Sequence, residues 1–209
     1  MKKNIRHFKK KEVDYAKYIR DFYLDNGIAY ISCNVRCMED VINRYSVRGY
    51  EDLNPEFAGY IEENAYHIPV EYPIVLEICG CSFNAEEKKT IEETVQDYFG
   101  LKLGDAQLDL SLNRANSIRL LVLGLASFAL FFVLGKLDVL GTVLDFAFWF
   151  FIWEFGDMVW LARNELLENK TAAAQLASVK VVFRREFTDD HADDRLANEI
   201  LAEVFEEDA

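Results

Sequence analysis

The chain has 209 residues, a net charge of −13 and 51% hydrophobic residues, an average that would suit an acidic soluble protein but conceals one stretch unlike the rest. Its length allows one or two domains, and its acidity makes a nucleic acid the least favoured partner. No nucleophile elbow, phosphate-binding glycine loop or H-E-x-x-H helix occurs, so the enzyme classes those motifs mark are excluded and a non-enzymatic role is expected.

Residues 1–20 hold eight of the 23 basic residues against two acidic ones. Lys2, Lys3, Arg6, Lys9, Lys10 and Lys11 are its densest part, without the apolar stretch of a secretory signal behind them. Such a segment suits an anionic membrane surface, the protein's own acidic body, a nucleic acid or a cytosolic protein partner, and equally a solvated helix start. From Glu12 to Leu24 apolar residues recur at helical spacing, and Asn26-Gly27 closes that helix. Ile28 to Val35 reads as a strand and Met38 to Tyr45 as a short helix. Asn54-Pro55 caps and opens a helix running to about Tyr66.

Tyr72 to Cys81 is a nearly continuous apolar strand, the pattern of a central position in a sheet. Asn84 and Glu87 form a capping box for a helix with Ile91, Val95 and Phe99 on its inner face, which Gly100 stops. Ala106 to Leu112 alternates leucines with polar residues and reads as a half-buried strand.

The next stretch organises the chain. Ile118 to Gly135 carries a single charge, Arg119, and is about 27 Å long as a helix, close to the roughly 30 Å of a hydrocarbon core. Lys136, Leu137 and Asp138 reverse the chain. Val139 to Leu161, rich in Phe and Trp, spans about 34 Å. These are the marks of a two-helix transmembrane hairpin. Lys102, Arg114 and Arg119 precede it, Arg163, Lys170 and Lys180 come after it, and Lys136 alone occupies the turn. The positive-inside rule then puts both termini in the cytoplasm and the hairpin in the inner membrane.

Beyond it, Ala162 to Leu176 is amphipathic, Ser178 to Phe187 is a strand, and Thr188 to Asp190 caps a last helix through Phe205. The expected fold is an α+β cytosolic domain of about four strands with flanking helices, interrupted by the inserted hairpin. Its parts are residues 1–115, the hairpin 116–161, and a helix-strand-helix completion in 162–209. The order of apolar strand, capped helix, strand, hairpin, Trp153-Glu154 and then Leu176-Ala177 before the Val179 to Phe183 strand resembles small uncharacterised bacterial membrane proteins with a helical hairpin. The resemblance covers roughly residues 70 to 185 and implies topology alone.

Within the spans, Asp145, Glu154 and Asp157 are out of place, because an acid at mid-bilayer costs about 3 kcal/mol and needs compensation. A turn centred on Leu137 sets Arg119 beside Phe155, within reach of Glu154 and Asp157 for a structural ion pair. The same arithmetic sets Asp145 opposite Ala129, with Ser127 the nearest polar group on the first span. Asp145 is then protonated and shared between copies, or lines a wet path through an assembly, or reaches the headgroups. Membrane lipid and a homo-oligomer are the expected partners.

No cofactor is required. One metal reading exists: Cys33, Cys37, Cys79 and Cys81 form two close pairs that folding could join into a zinc tetrahedron. A reducing compartment argues against disulfides, and packing of free thiols is the simpler account, since in a strand Cys79 and Cys81 share one face. Asp189, Asp190, His191, Asp193 and Asp194 have metal-ligand character, and Arg185 with His191 has a spacing seen in some ribonuclease motifs, yet acids at a helix start are expected from the dipole alone. The reading with most support is a self-associating membrane protein whose cytosolic domain receives a signal or partner and whose hairpin alters permeability. The alternative is a membrane-anchored adaptor.

Overall fold

The computed structural model describes residues 24–25, 27–134 and 138–185. The chain divides into two compact units, Met1–Tyr98 with Gln175–Ala209, and Phe99–Ala174.

The first unit is built on a four-stranded sheet in the order β1-β2-β3-β4. β1 (Leu24–Asp25) lies antiparallel to β2 (Ile28–Asn34) across a tight turn at Gly27, whose φ of +86° suits a residue without a Cβ. β2, β3 (Ile74–Cys79) and β4 (Lys180–Arg184) are mutually parallel. Every residue of β3 is buried, as a central strand covered on both faces requires. The α and β mixture expected from the sequence is present. One expected detail is corrected at the start: residues 12–23 of the first expected helix lie outside the described residues, and Leu24 pairs as strand.

Between β2 and β3 runs α1 (Pro55–Ala65), with proline at its first turn and the Asn54 side chain accepting from the Glu56 N–H at 3.0 Å. It buries Phe57, Ala58, Ile61 and Ala65, one helical face. The short helix expected over Met38 to Tyr45 shrinks to a 3₁₀ turn, Met38–Asp40. Local bonds compete successfully with helix there. The Asp40 carboxylate accepts from the Arg36 N–H at 2.9 Å, the Asn43 N–H donates to Asp52 O, and Ser46 Oγ accepts from the Asp52 N–H.

The largest correction concerns the helix that comes after β3. Asn84 and Glu87 make the expected reciprocal cap, at 2.8 and 2.9 Å, and Ile91, Val95 and Phe99 are fully buried. The helix does not end at Gly100. α2 runs from Ala85 to Leu134, through Gly100 and Gly104. Each glycine costs about 1 kcal/mol relative to alanine, which a long uninterrupted hydrogen-bond ladder tolerates. The strand expected over Ala106 to Leu112 is therefore helix. Its alternating leucines are the weaker of two periodicities: Leu110 is half-buried, while Leu108 and Leu112 are exposed.

In the second unit, α3 (Asp138–Asp157) continues through a π-helical turn, Met158–Ala162, into α4 (Arg163–Ala177). Along α2, residues at alternating steps of four and three, from Phe99 through Leu110, Ser117 and Gly124 to Phe131, are buried or half-buried. That spacing is the seam of a left-handed helix pair. The partner is α3: a Cβ on Gly124 would meet Ile152 Cδ1 at 3.1 Å, Phe128 and Phe148 lie with ring centroids 4.9 Å apart, and Asn113 Nδ2 donates to Met158 O at 3.2 Å. These contacts run antiparallel, within three residues of the pairs a turn centred on Leu137 requires. Residues 135–137 themselves lie outside the described set.

Candidate functional site

Glu77 and Asp145 each lie within an apolar run, and they are held very differently. The first, Glu77, stands in the middle of β3 and is completely buried. Its register neighbour on β2 is Ser32, whose Oγ donates to Glu77 Oε2 at 2.8 Å. From β4, two residues past the Val182 that pairs with Glu77, Arg184 brings Nε to 2.7 Å from Oε1. The approach is that of an ion pair and not of an aligned hydrogen bond. Both oxygens are thus committed near the C-terminal ends of three parallel strands. A buried carboxylate engaged on each oxygen is poorly placed to act as a general base. At the end of β3, Gly80 adopts a φ of +99°, and a Cβ there would collide with Asn34 Oδ1 and with Val35 O at 2.9 Å.

Glu77 escapes notice in the sequence because Tyr72 to Cys81 reads as a nearly continuous apolar run. The signal is nevertheless present: one acid in an otherwise apolar strand must be paired if the strand is central.

The cysteines are distributed by the same strands. Cys33 pairs with Ile78 and Asn34 with Cys79, so strand alternation turns the Cys33 and Cys79 side chains to opposite faces. Cys37 is exposed and Cys81 half-buried. Among the described residues no three His, Cys, Asp or Glu side chains are gathered closely enough to hold a metal ion, so the tetrahedron expected from the two pairs is not assembled there. Burial, with the nearby Cys79 and Glu77 adding to it, pushes the Cys33 thiol up to about 12, and its Sγ donates to Glu77 O at 3.2 Å. Cys79 is raised as well, first by burial and then by Glu77. A thiol held protonated is neither a ready metal ligand nor a nucleophile.

The second acid is Asp145, on the exposed side of α3. Among the described residues it has no hydrogen bond or ion pair, and the nearest polar candidate on α2, Ser127, donates instead to Leu123 O at 2.9 Å. No family model, curated protein or solved structure matches the chain. The ion pair expected between Arg119 and Glu154 or Asp157 is not formed among the described residues; Arg119 Nη1 donates to Asn116 Oδ1 at 3.0 Å. The reason is rotational. Arg119 falls between Ser117 and Leu120 of the seam and is exposed, pointing away from α3, while Glu154 is half-buried and Asp157 exposed.

Among the described residues two helices are long and apolar enough to cross a membrane, Ala85–Leu134 and Val139–Ala177, and their most apolar windows are only 11% and 6% buried. A core helix of a soluble fold would be mostly covered. Exposed instead are Phe146, Trp149, Trp153 and Trp160, at successive steps of three, four and seven along the helix. The basic segment containing Lys2, Lys3, Arg6, Lys9, Lys10 and Lys11, and the cluster from Asp189 to Asp194, lie outside the described residues; of the Arg185 and His191 pair only Arg185 is described, and it is exposed.

Proposed function

We propose that this chain is an inner-membrane protein that self-associates through the exposed face of its helical hairpin, with the α/β unit in the cytoplasm receiving a signal or partner and the hairpin altering permeability. The observation that carries the reading is Asp145: an acid on an exposed, aromatic helix face with no bond from its own chain among the described residues. In a bilayer such a group needs a partner, and a second copy supplies one by symmetry. Two helices cannot enclose a pore, so any conduction belongs to the assembly. The resemblance to bacterial two-span proteins supports the same topology and adds no activity. The test is reconstitution of the full chain into vesicles with an ion-flux readout. Asp145→Leu and Asp145→Asn are expected to change assembly and flux, and wild-type behaviour of both variants would remove the main support.

A second reading, the membrane-anchored adaptor, is favoured by the loop between β2 and α1. Tyr45, Val47 and Tyr50 are exposed there, with the Arg44 guanidinium 4.8 Å from the Tyr45 ring centroid. Clustered exposed aromatics are common in binding surfaces. In that case replacing residues 116–161 by an unrelated two-span anchor preserves function, whereas the permeability reading requires its loss.

A further inference from the structure

The second unit holds a cleft of about 840 Å³ beside the seam, where α2 approaches its apolar run and α3 passes through the π-helical turn into α4. This is within the range of small-ligand sites. Its polar lining is Ser111, Asn113, Arg114, Ser117 and Arg163, and its apolar lining includes Phe155, Val159 and Leu167. The two charged residues that line it are both arginine. Among the described residues neither forms an ion pair, in contrast to Arg36, Arg48 and Arg184, which all do.

The backbone fixes where these two guanidiniums start. Met158 O accepts the Arg163 backbone N–H five residues on, the bond that makes the turn a π turn, and the same carbonyl accepts Asn113 Nδ2 at 3.2 Å. Arg114 is the residue directly after Asn113. The wide turn therefore ties the roots of both arginines to one atom, and π-helical turns of this kind frequently mark functional sites. Ser117, buried, completes the floor, its Oγ donating to Asn113 O at 2.7 Å.

We infer that the cleft binds the phosphodiester of an anionic phospholipid. Paired guanidiniums recognise phosphate oxygens through charge-assisted, bidentate bonds. The apolar lining distinguishes an amphiphile from a free phosphate, since it offers contacts for the glycerol backbone and the upper acyl chain. The cleft also lies at the first end of one apolar run and the last end of the other, which is headgroup depth if the hairpin spans the bilayer. This inference rests on the membrane reading proposed above.

The experiment uses the full chain in mild detergent, with native mass spectrometry of retained lipid after addition of dioleoylphosphatidylglycerol or dioleoylphosphatidylcholine. Wild type is expected to retain the phosphatidylglycerol selectively, and Arg114→Gln with Arg163→Gln to lose at least about 10-fold of that retention, the scale of losing charge-assisted hydrogen bonds. Arg114→Lys with Arg163→Lys is expected to keep part of it, which guards against a fold that simply fails. Arg119→Gln, outside the cleft, is expected to bind as wild type. Equal retention by wild type and the Gln pair overturns the site, as does an equal loss in Arg119→Gln. Displacement of the lipid by glycerol 3-phosphate at equal concentration overturns the lipid in favour of a soluble phosphate ester. Carbonate extraction of cell membranes tests the underlying reading separately: a chain that stays in the membrane without lipid selectivity defeats only the cleft, while a chain that washes off defeats both.

Discussion

Each unit of this protein places an acid within an apolar run, and each answers the resulting penalty differently. In the sheet, Glu77 receives Ser32 on one oxygen and Arg184 on the other, so β3 can be buried on both faces. On α3, Asp145 is exposed among aromatic side chains and receives nothing from the described chain. The first unit is closed with respect to its buried charge. The second leaves its acid on an exposed helix face, the surface at which the proposed self-association would place a partner.

The comparison is most severely tested by breaking the closed case. Glu77→Ala leaves Arg184 facing a buried gap and should cost about 3 kcal/mol or more, read as faster hydrogen exchange across β2, β3 and β4. Glu77→Leu with Arg184→Leu should recover most of that loss, because two apolar groups need no partner. A double replacement as damaging as the single would mean that the pair does more than satisfy itself. Gly80→Ala should cost about 1 to 3 kcal/mol, since its backbone is left-handed and its Cβ would press on Val35 O at 2.9 Å.

In the open case Asp145→Leu should leave hydrogen exchange in the sheet unchanged while shifting the assembly. That separation between the units is the sharpest consequence of the comparison. A smaller effect concerns Cys33. Its folded thiol is pushed up to about 12 from an ordinary value of 9.0, so the folded form holds its proton where the unfolded form releases it. The associated stability is fully present below pH 9 and is lost as pH rises toward 12. The loss is about 1.4 kcal/mol per pH unit at most. Denaturant midpoints of wild type and Cys33→Ala at about pH 7 and about pH 10, on either side of the unfolded thiol's value, should therefore show the wild type losing more stability between the two pH values than the variant does. Smallest is Asn54→Ala, which removes the cap of α1 and should cost about 1 kcal/mol in thermal or denaturant unfolding.

The three parallel strands were legible in the sequence because β-branched runs with turn residues around them leave little alternative; Ile28–Asn34, Ile74–Cys79 and Lys180–Arg184 each fall inside the expected segment. The cap at Asn84 was legible for the same local reason. The length of α2 was not. Gly100 carries a stop signal locally, but one glycine costs too little to end a helix whose later seam packs against α3, which no short window contains. The site was partly legible. Asp145 stood out by depth alone, whereas Glu77 was hidden by its apolar neighbours, and the arginine cleft depends on a π turn that has no sequence signature here. The Arg119 pairing failed because depth arithmetic gives height along the helix and says nothing about rotation around it.

The measurement that bears most directly on self-association through Asp145 is the mass of the full chain solubilised from membranes, by light scattering with the detergent contribution subtracted, for wild type and Asp145→Leu side by side. The predicted result is a wild-type particle of several copies and a smaller one for the variant. A wild-type monomer would contradict it and leave the exposed face of α3 to lipid alone.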